Sequence, residues 1–170
     1  MKIATKTTIL EIVGTLIIAL LIFLSVHFTL ESRQIDGISM LPNLETGQRV
    51  LVCKAAYWFG EPQRGDVVVF YDTLNDKYII HRIIGLPNET VEIRSGQLYI
   101  DGEVKDEPYI QENILNRYPD TVPGGNYLIV GDNRYSARWD IVPRSEIVGK
   151  AWLCYWPLSD WHLVSGHSYD

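Results

Sequence analysis

A mainly β fold is what this 170-residue sequence predicts: a folded sheet or barrel carried behind a single N-terminal membrane-spanning helix. Three observations predict it. One uninterrupted apolar stretch lies close to the start of the chain. The remainder breaks into short β-rich runs separated by turn dipeptides. No segment after residue 35 keeps a helical period.

The apolar stretch comes first. Residues 12–30 contain no Asp, Glu, Lys or Arg and are dominated by Leu, Ile, Val and Phe. About 20 such residues in a helix span roughly 30 Å, the thickness of a bilayer core. The stretch exceeds the h-region of a secretory signal, and no small-x-small cleavage site follows it. It also lacks the polar face of a helix buried in a soluble protein. Glu11 marks its start and Glu31 its end; Lys2 and Lys6 precede it, whereas Arg33 follows beside Glu31 and Asp36. The excess of positive charge before the stretch predicts a cytoplasmic N-terminus. Residues 1–34 are therefore expected to form the cytoplasmic end and the anchor. Residues 35–170 are expected to form one extracytoplasmic β-rich domain at the plasma membrane, with the phospholipid bilayer as a standing partner.

The strands follow in order. Arg49-Val50-Leu51-Val52, Asp66-Val67-Val68-Val69-Phe70 and Tyr78-Ile79-Ile80-His81-Arg82-Ile83-Ile84 are β-rich. Thr90-Val91-Glu92-Ile93-Arg94 alternates, and Ser95-Gly96 offers a hairpin turn into Gln97-Leu98-Tyr99-Ile100. Asp101-Gly102 offers a second turn, and Tyr127-Leu128-Ile129-Val130 follows the turn at Pro123-Gly124-Gly125. Residues 111–122 are polar and read as a surface loop. The aromatic run at residues 151–157 suits either a bilayer interface or the β core.

Composition narrows the chemistry. A net charge of −6 gives nucleic-acid binding no electrostatic support. No Cys/His spacing resembles a metal site, and nothing calls for a cofactor. Cys53 and Cys154 are read as buried free thiols, with a bridge left open should the fold bring them close.

Ser39 lies in Gly37-Ile38-Ser39-Met40-Leu41-Pro42-Asn43, nine residues after the apolar stretch. A nucleophile there meets substrates that arrive through or along a membrane. Further motifs follow in order: Arg64-Gly65-Asp66-Val67-Val68-Val69-Phe70, then Ile79-Ile80-His81-Arg82-Ile83-Ile84-Gly85-Leu86-Pro87, then Gly131-Asp132-Asn133-Arg134. The last are Val142-Pro143-Arg144 and Ile147-Val148-Gly149-Lys150-Ala151. With these motifs behind one anchor, the chain resembles bacterial type I signal peptidases. Those are membrane-bound serine proteases that remove signal peptides from exported preproteins. The resemblance covers nearly the whole chain. It implies Ser39 as nucleophile and the position of His81 as general base. It also implies Met40, Leu44, Ile79 and Ile80 as lining of shallow pockets that accept Ala-x-Ala sites. The same four residues also suit a plain core.

Two departures from that pattern matter. The usual bacterial enzyme has Lys where this chain has His81; endoplasmic-reticulum-type relatives carry His. Imidazole is already poised near neutrality, so an acid limb of activity is expected at about pH 6–7. Lys77 is the rival base, four residues and about 13 Å along the strand. The last box is also shortened to Tyr135-Ser136-Ala137-Arg138-Trp139-Asp140. Ser136 can take the place of a serine that hydrogen-bonds the base. Asp132 or Asp140 can orient His81, as in a Ser-His-Asp arrangement; a turn role for Asp132 and a solvated loop role for Asp140 stand beside that. Arg82 is expected to pair with a carboxylate such as Asp66 or Asp132. Gly37 stands where some relatives have a serine that supplies an oxyanion donor.

Two other functions compete. One is a membrane-tethered β domain that binds export substrates without cutting them. The other is a maturation peptidase with a single dedicated substrate. A soluble self-cleaving repressor type is disfavoured by the anchor and the absent lysine.

Overall fold

The computed structural model describes residues 2–111, 116–136, 138–164, 166–167 and 169. Helix α1, Lys2–Thr29, contains the apolar segment Thr8–Thr29, whose mean hydropathy is 2.7 and of which no part is buried. Ile9, Leu16, Leu20, Phe23 and Phe28 are all exposed, so the domain does not cover this helix.

The chain leaves α1 directly into strand β1, Leu30–Gln34. The apolar count runs on through Leu30, but the backbone becomes extended there because Leu30 and Cys53 pair as the first rung of a sheet. The strands that follow are β2 (Arg49–Cys53), β3 (Val67–Asp72), β4 (Lys77–Gly85), β5 (Thr90–Arg94), β6 (Gln97–Ile100) and β7 (Glu103–Lys105). The remainder are β8 (Arg117–Thr121), β9 (Asn126–Val130), β10 (Trp139–Pro143), β11 (Ile147–Trp156) and β12 (His162–Leu163).

These strands make two sheets. The larger runs β1-β2-β11-β3-β4-β9-β10, with β12 added to β11. The smaller runs β7-β6-β5-β8. Its hairpins turn where expected, with positive φ at Ser95 and Gly96 and at Asp101 and Gly102. Residues 111–122 are not wholly a loop: β8 pairs with β5 across Thr121 and Thr90. The remaining part of that stretch, residues 112–115, lies outside the described residues, as does Ala137.

Three packed clusters fill the interior. Ile35, Met40, Leu44, Val50, Val52, Val67 and Val69 pack beneath the nucleophile segment. Val68, Phe70, Ile83 and Ile129 fill the far face of the large sheet. Ile84, Val91, Ile93, Leu98 and Val130 join the two sheets. In the C-terminal run, Ala151, Leu153 and Cys154 are buried whereas Trp152 and Trp156 are about half exposed, so β11 presents one face to the core and one outward. Cys53 and Cys154 are both free thiols. Their strands are neighbours, but Cys53 stands opposite Lys150 and Cys154 opposite Val50, which separates them along the ladder.

Register ties the sheet to the membrane end. Leu30 stands opposite Cys53, Cys53 opposite Lys150, Lys150 opposite Val68, and Val68 opposite His81. One row of paired residues thus runs from the end of α1 to His81, four strand spacings or about 19 Å across.

Candidate active site

Ser39 lies on a tight turn between β1 and β2. Gly37 enters it with φ +109°, a conformation that a serine adopts only with strain. No atom crowds a Cβ at that position, so backbone conformation rather than space is what suits glycine. Met40 follows, 1% exposed in the core, and its carbonyl accepts from the N–H groups of Asn43 and Leu44 at 2.9 Å. The buried Met40 pins the turn and leaves Ser39 half-buried at its surface.

The motif Gly131-Asp132-Asn133-Arg134 fastens that turn to the strand bearing His81. The Asn133 N–H donates to the Ser39 carbonyl at 2.9 Å, and its Nδ2 donates to the Ile38 carbonyl at 3.1 Å. Asp132 takes two bonds of 2.8 Å from Arg82, through Nε and Nη2, and a third of 2.8 Å from Asn43 Nδ2. Arg82 also donates to the Gly65 carbonyl and stacks over Tyr109. Arg134, 1% exposed, grips Glu107 at 2.5 and 3.1 Å. Both carboxylate oxygens of Asp132 are thus committed to Arg82, with Asn43 sharing one. The structure brings Arg82 to Asp132, while Asp66 pairs with Lys150 at 2.5 Å.

Asp140 is the carboxylate that faces His81. Its Oδ2 lies 3.9 Å from His81 Nδ1, and both atoms are buried without a hydrogen-bond partner. Buried polar atoms are rarely left so, and the two orphans point at each other. The other oxygen of Asp140 is held by Arg138 at 2.5 Å through Nη2 and 3.1 Å through Nε. Arg138 in turn reaches Asp72 at 3.0 Å. Burial pushes the His81 imidazole down to about 4; Asp132 opposes this, while Arg138 and Lys77 add to it. That is well below the neutral-range value anticipated from sequence, because the side chain is only 4% exposed.

A cleft of about 310 Å³ joins these elements. Ser39, Met40, Ile79, Ile80, His81 and Ser136 line it, together with Gln34, Ile35, Asp36, Lys77 and Arg138. Leu44 does not: it is 1% exposed and lines a separate space of about 60 Å³ with Met40, Val67 and Leu163. On β4, residues Lys77–Arg82 pair with β3 along one edge. Strand β9 covers the other edge from Arg82 to Gly85, so among the described residues the edge from Lys77 to His81 opens to the cleft. Sequence reasoning missed Asn133, Asn43, Glu107 and Arg138 as parts of this assembly. Asn133 and Arg134 stand in the recognised motif and were the available clue.

Comparison with known proteins agrees with the resemblance. A family model described as signal peptidase, peptidase S26, matches residues 8–156. Among curated proteins, a signal peptidase I of Leptolyngbya laminosa is 39% identical over 146 residues, covering 78% of this chain and 71% of that one. Signal peptidase IB of Staphylococcus aureus strain COL is 33% identical, covering 91% and 93%. A solved signal peptidase I from Enterococcus faecalis V583 is 31% identical with a TM-score of 0.49, covering 53% of this chain and 96% of that one.

Proposed function

The chain belongs to the signal peptidase family, peptidase S26, and we propose that Ser39 and His81 carry its reaction. It is a membrane-bound serine endopeptidase that removes signal peptides from preproteins. The observation that carries the residue assignment is the cleft shared by Ser39 and His81, with the orphaned Nδ1 of His81 aimed at the orphaned Oδ2 of Asp140.

With Nδ1 turned to Asp140, Nε2 is the ring nitrogen available to Ser39. Ser39 Oγ attacks the scissile carbonyl and passes its proton to Nε2. The imidazolium gives that proton to the departing amine, which leaves as the new N-terminus of the mature protein. Water then attacks the acyl-enzyme with His81 again as base, and the signal peptide leaves with a free carboxylate. The oxyanion is held by the Ser39 N–H and a further donor. Asp140 stabilises the imidazolium as it forms. The distance of 3.9 Å closes by about 1 Å to reach a charge-assisted bond, a tightening common on substrate binding. Asp132 serves the site at one remove, by holding Arg82 and Asn43, and Ser136 contributes a hydroxyl at the cleft wall.

The substrate chain pairs with the open edge of β4 as an added strand. Met40, Ile79 and Ile80 then form shallow apolar floors for small residues one and three before the cut, an Ala-x-Ala preference. Leu44 supports Met40 from beneath rather than touching substrate. The excess of lysines before the anchor supports a cytoplasmic N-terminus and an extracytoplasmic cleft at the plasma membrane. The row from Leu30 to His81 supports a cut close to the bilayer surface.

The test is cleavage of a preprotein with an Ala-x-Ala site by the full chain in detergent. Ser39→Ala and His81→Ala should lose activity while Lys77→Ala keeps it. A wild type that binds preprotein but never cuts it would favour the binding-only alternative, and turnover of one preprotein alone a dedicated peptidase. Loss in Lys77→Ala with activity left in His81→Ala would replace the base.

A further inference from the structure

Two segments contribute most of the lining of the cleft, residues 34–36 just after β1 and residues 77–81 on β4. The sheet order sets β2, β11 and β3 between their parent strands. Even so, one side-chain contact bridges them. The Arg33 guanidinium lies over the Tyr78 ring, 3.7 Å from its centroid. The sheet thus curls until side chains of β1 and β4 meet.

Both partners of this clasp are fixed. Tyr78 stands opposite Tyr71 in the β3–β4 ladder, with ring centroids 5.1 Å apart. Arg33 Nη2 binds Glu31, whose other oxygen lies 3.7 Å from Lys54 Nζ. Arg33 Nε is different: it is buried and has no hydrogen-bond partner among the described residues. A buried N–H is rarely left without an acceptor, because an unmet donor costs free energy.

The position of the clasp says what could bring that acceptor. Tyr78 lies three residues before His81, about 10 Å along the strand. Arg33 lies three residues after Leu30, where β1 leaves α1. Beyond His81 the edge of β4 is taken by β9, so a substrate strand runs from Ser39 toward Lys77. It meets the clasp at about the fourth residue before the cut. Lys77 also lines the cleft there and makes no ion pair among the described residues. Asp36, the acidic residue of the lining, lies nearer the nucleophile in the chain, three residues from Ser39. The fourth residue therefore arrives at an unused donor and a second cation.

We propose that Arg33, stacked on Tyr78, reads the substrate residue about four before the cut and favours a hydrogen-bond acceptor there, a carboxylate above all. A carboxylate takes the Arg33 Nε donor and approaches Lys77, whereas a lysine meets two like charges. The proposal rests on the reading of the cleft as a signal-peptide site.

The test is binding to the full chain carrying Ser39→Ala in detergent, so that no outcome depends on catalysis. The probes are fluorescein-labelled signal-peptide junctions with one Ala-x-Ala site and Glu, Gln or Lys at the fourth residue before it. A second set carries the same changes at the fifth. By anisotropy, the Glu peptide should bind about five- to tenfold more tightly than the Lys peptide in one of the sets, with Gln between. Arg33→Gln and Tyr78→Ala should each bring that ratio to within about twofold, and Tyr78→Phe, which keeps the ring, should retain it. Equal Kd values in both sets, or no binding of any peptide, would overturn the proposal. So would a ratio that survives Arg33→Gln and falls only in Lys77→Ala, since the reader would then be the lysine. Cleavage of the Gln peptide by the chain with Ser39 intact is measured alongside. Its absence would count against the peptidase assignment, while the binding ratios still decide the clasp.

Discussion

Replacing Asp140 by asparagine tests the site most directly. The change keeps the shape of the side chain and removes its charge. In the resting arrangement Asp140 Oδ2 is 3.9 Å from His81 Nδ1, with the two side chains 13% and 4% exposed. Two unit charges at that distance interact by about 4 kcal/mol at an effective dielectric of roughly 20. This interaction exists only when His81 is protonated, so it acts on the transition state and not on substrate binding. Asp140→Asn should therefore lower kcat by about a hundred- to a thousand-fold and leave KM nearly unchanged. The acid limb should also move. Burial holds His81 at about 4, so its basic form is complete by about pH 6 and is lost as pH falls through about 4. Removing a carboxylate that favours the charged form lowers that limb further. The fold should tolerate the change, because the Arg138 partner is 49% exposed and such a pair contributes about 1 kcal/mol or less. The assay is the pH profile of kcat and KM on a preprotein, with urea unfolding as the control. A folded Asp140→Asn chain with kcat within threefold of wild type and an unmoved acid limb would refute the reasoning.

Two further outcomes follow from the buried charges. His81 has its folded value below its unfolded one, so the unfolded chain takes up a proton first as pH falls. Between pH 7 and 4 the wild type should lose about 3 kcal/mol more stability than His81→Leu, by urea unfolding in detergent; parallel curves would contradict the burial. Asp132→Asn removes the carboxylate paired with Arg82, whose side chain is 2% exposed, and should cost about 3–5 kcal/mol in the same measurement, whereas a change under 1 kcal/mol would show that the pair is not buried in solution.

The residues explain which parts of this architecture were legible. Strands β3 to β6 carry apolar runs or clean alternation bounded by Ser95-Gly96 and Asp101-Gly102, and they formed at nearly the predicted positions. Strand β8 did not show itself because Arg117-Tyr118-Pro119-Asp120-Thr121 is an exposed edge strand with no apolar period. Strand β11 hides its alternation behind bulges at Ala151–Leu153 and Cys154–Trp156. Strand β1 was absorbed into the anchor because its first residue is Leu30. Within the site, Ser39 and His81 were readable as residue types in recognisable motifs. Which of Asp132 and Asp140 comes to lie beside His81 was not, because it depends on register. Trp139 stands opposite Val130 and Val130 opposite Arg82, which carries the start of β10 to the base while Asp132, just past β9, reaches Arg82. Pairing across three strands decides it, and local sequence does not encode that pairing.

Setting a lysine in the place of His81 gives its depressed value a further meaning. Burial takes imidazole from about 6.5 to about 4. The same burial acting on an amine would take it from about 10.4 to about 8, close to a working base at mildly alkaline pH. The surroundings of residue 81 are thus suited to lysine, and with histidine they overshoot. Asp140 offsets that overshoot when the imidazolium forms, so histidine and Asp140 belong together. His81→Lys should consequently keep activity, with its acid limb moved up to about pH 8. In that background Asp140→Asn should cost about tenfold or less, against the hundred-fold or more expected with histidine, a coupling read from the double-mutant cycle. A folded His81→Lys chain that is silent at every pH up to 10 would break this link between burial and the choice of base. An equal effect of Asp140→Asn in both backgrounds would show that Asp140 acts through Arg138 and Asp72 on the structure of the cleft and not through the proton on His81.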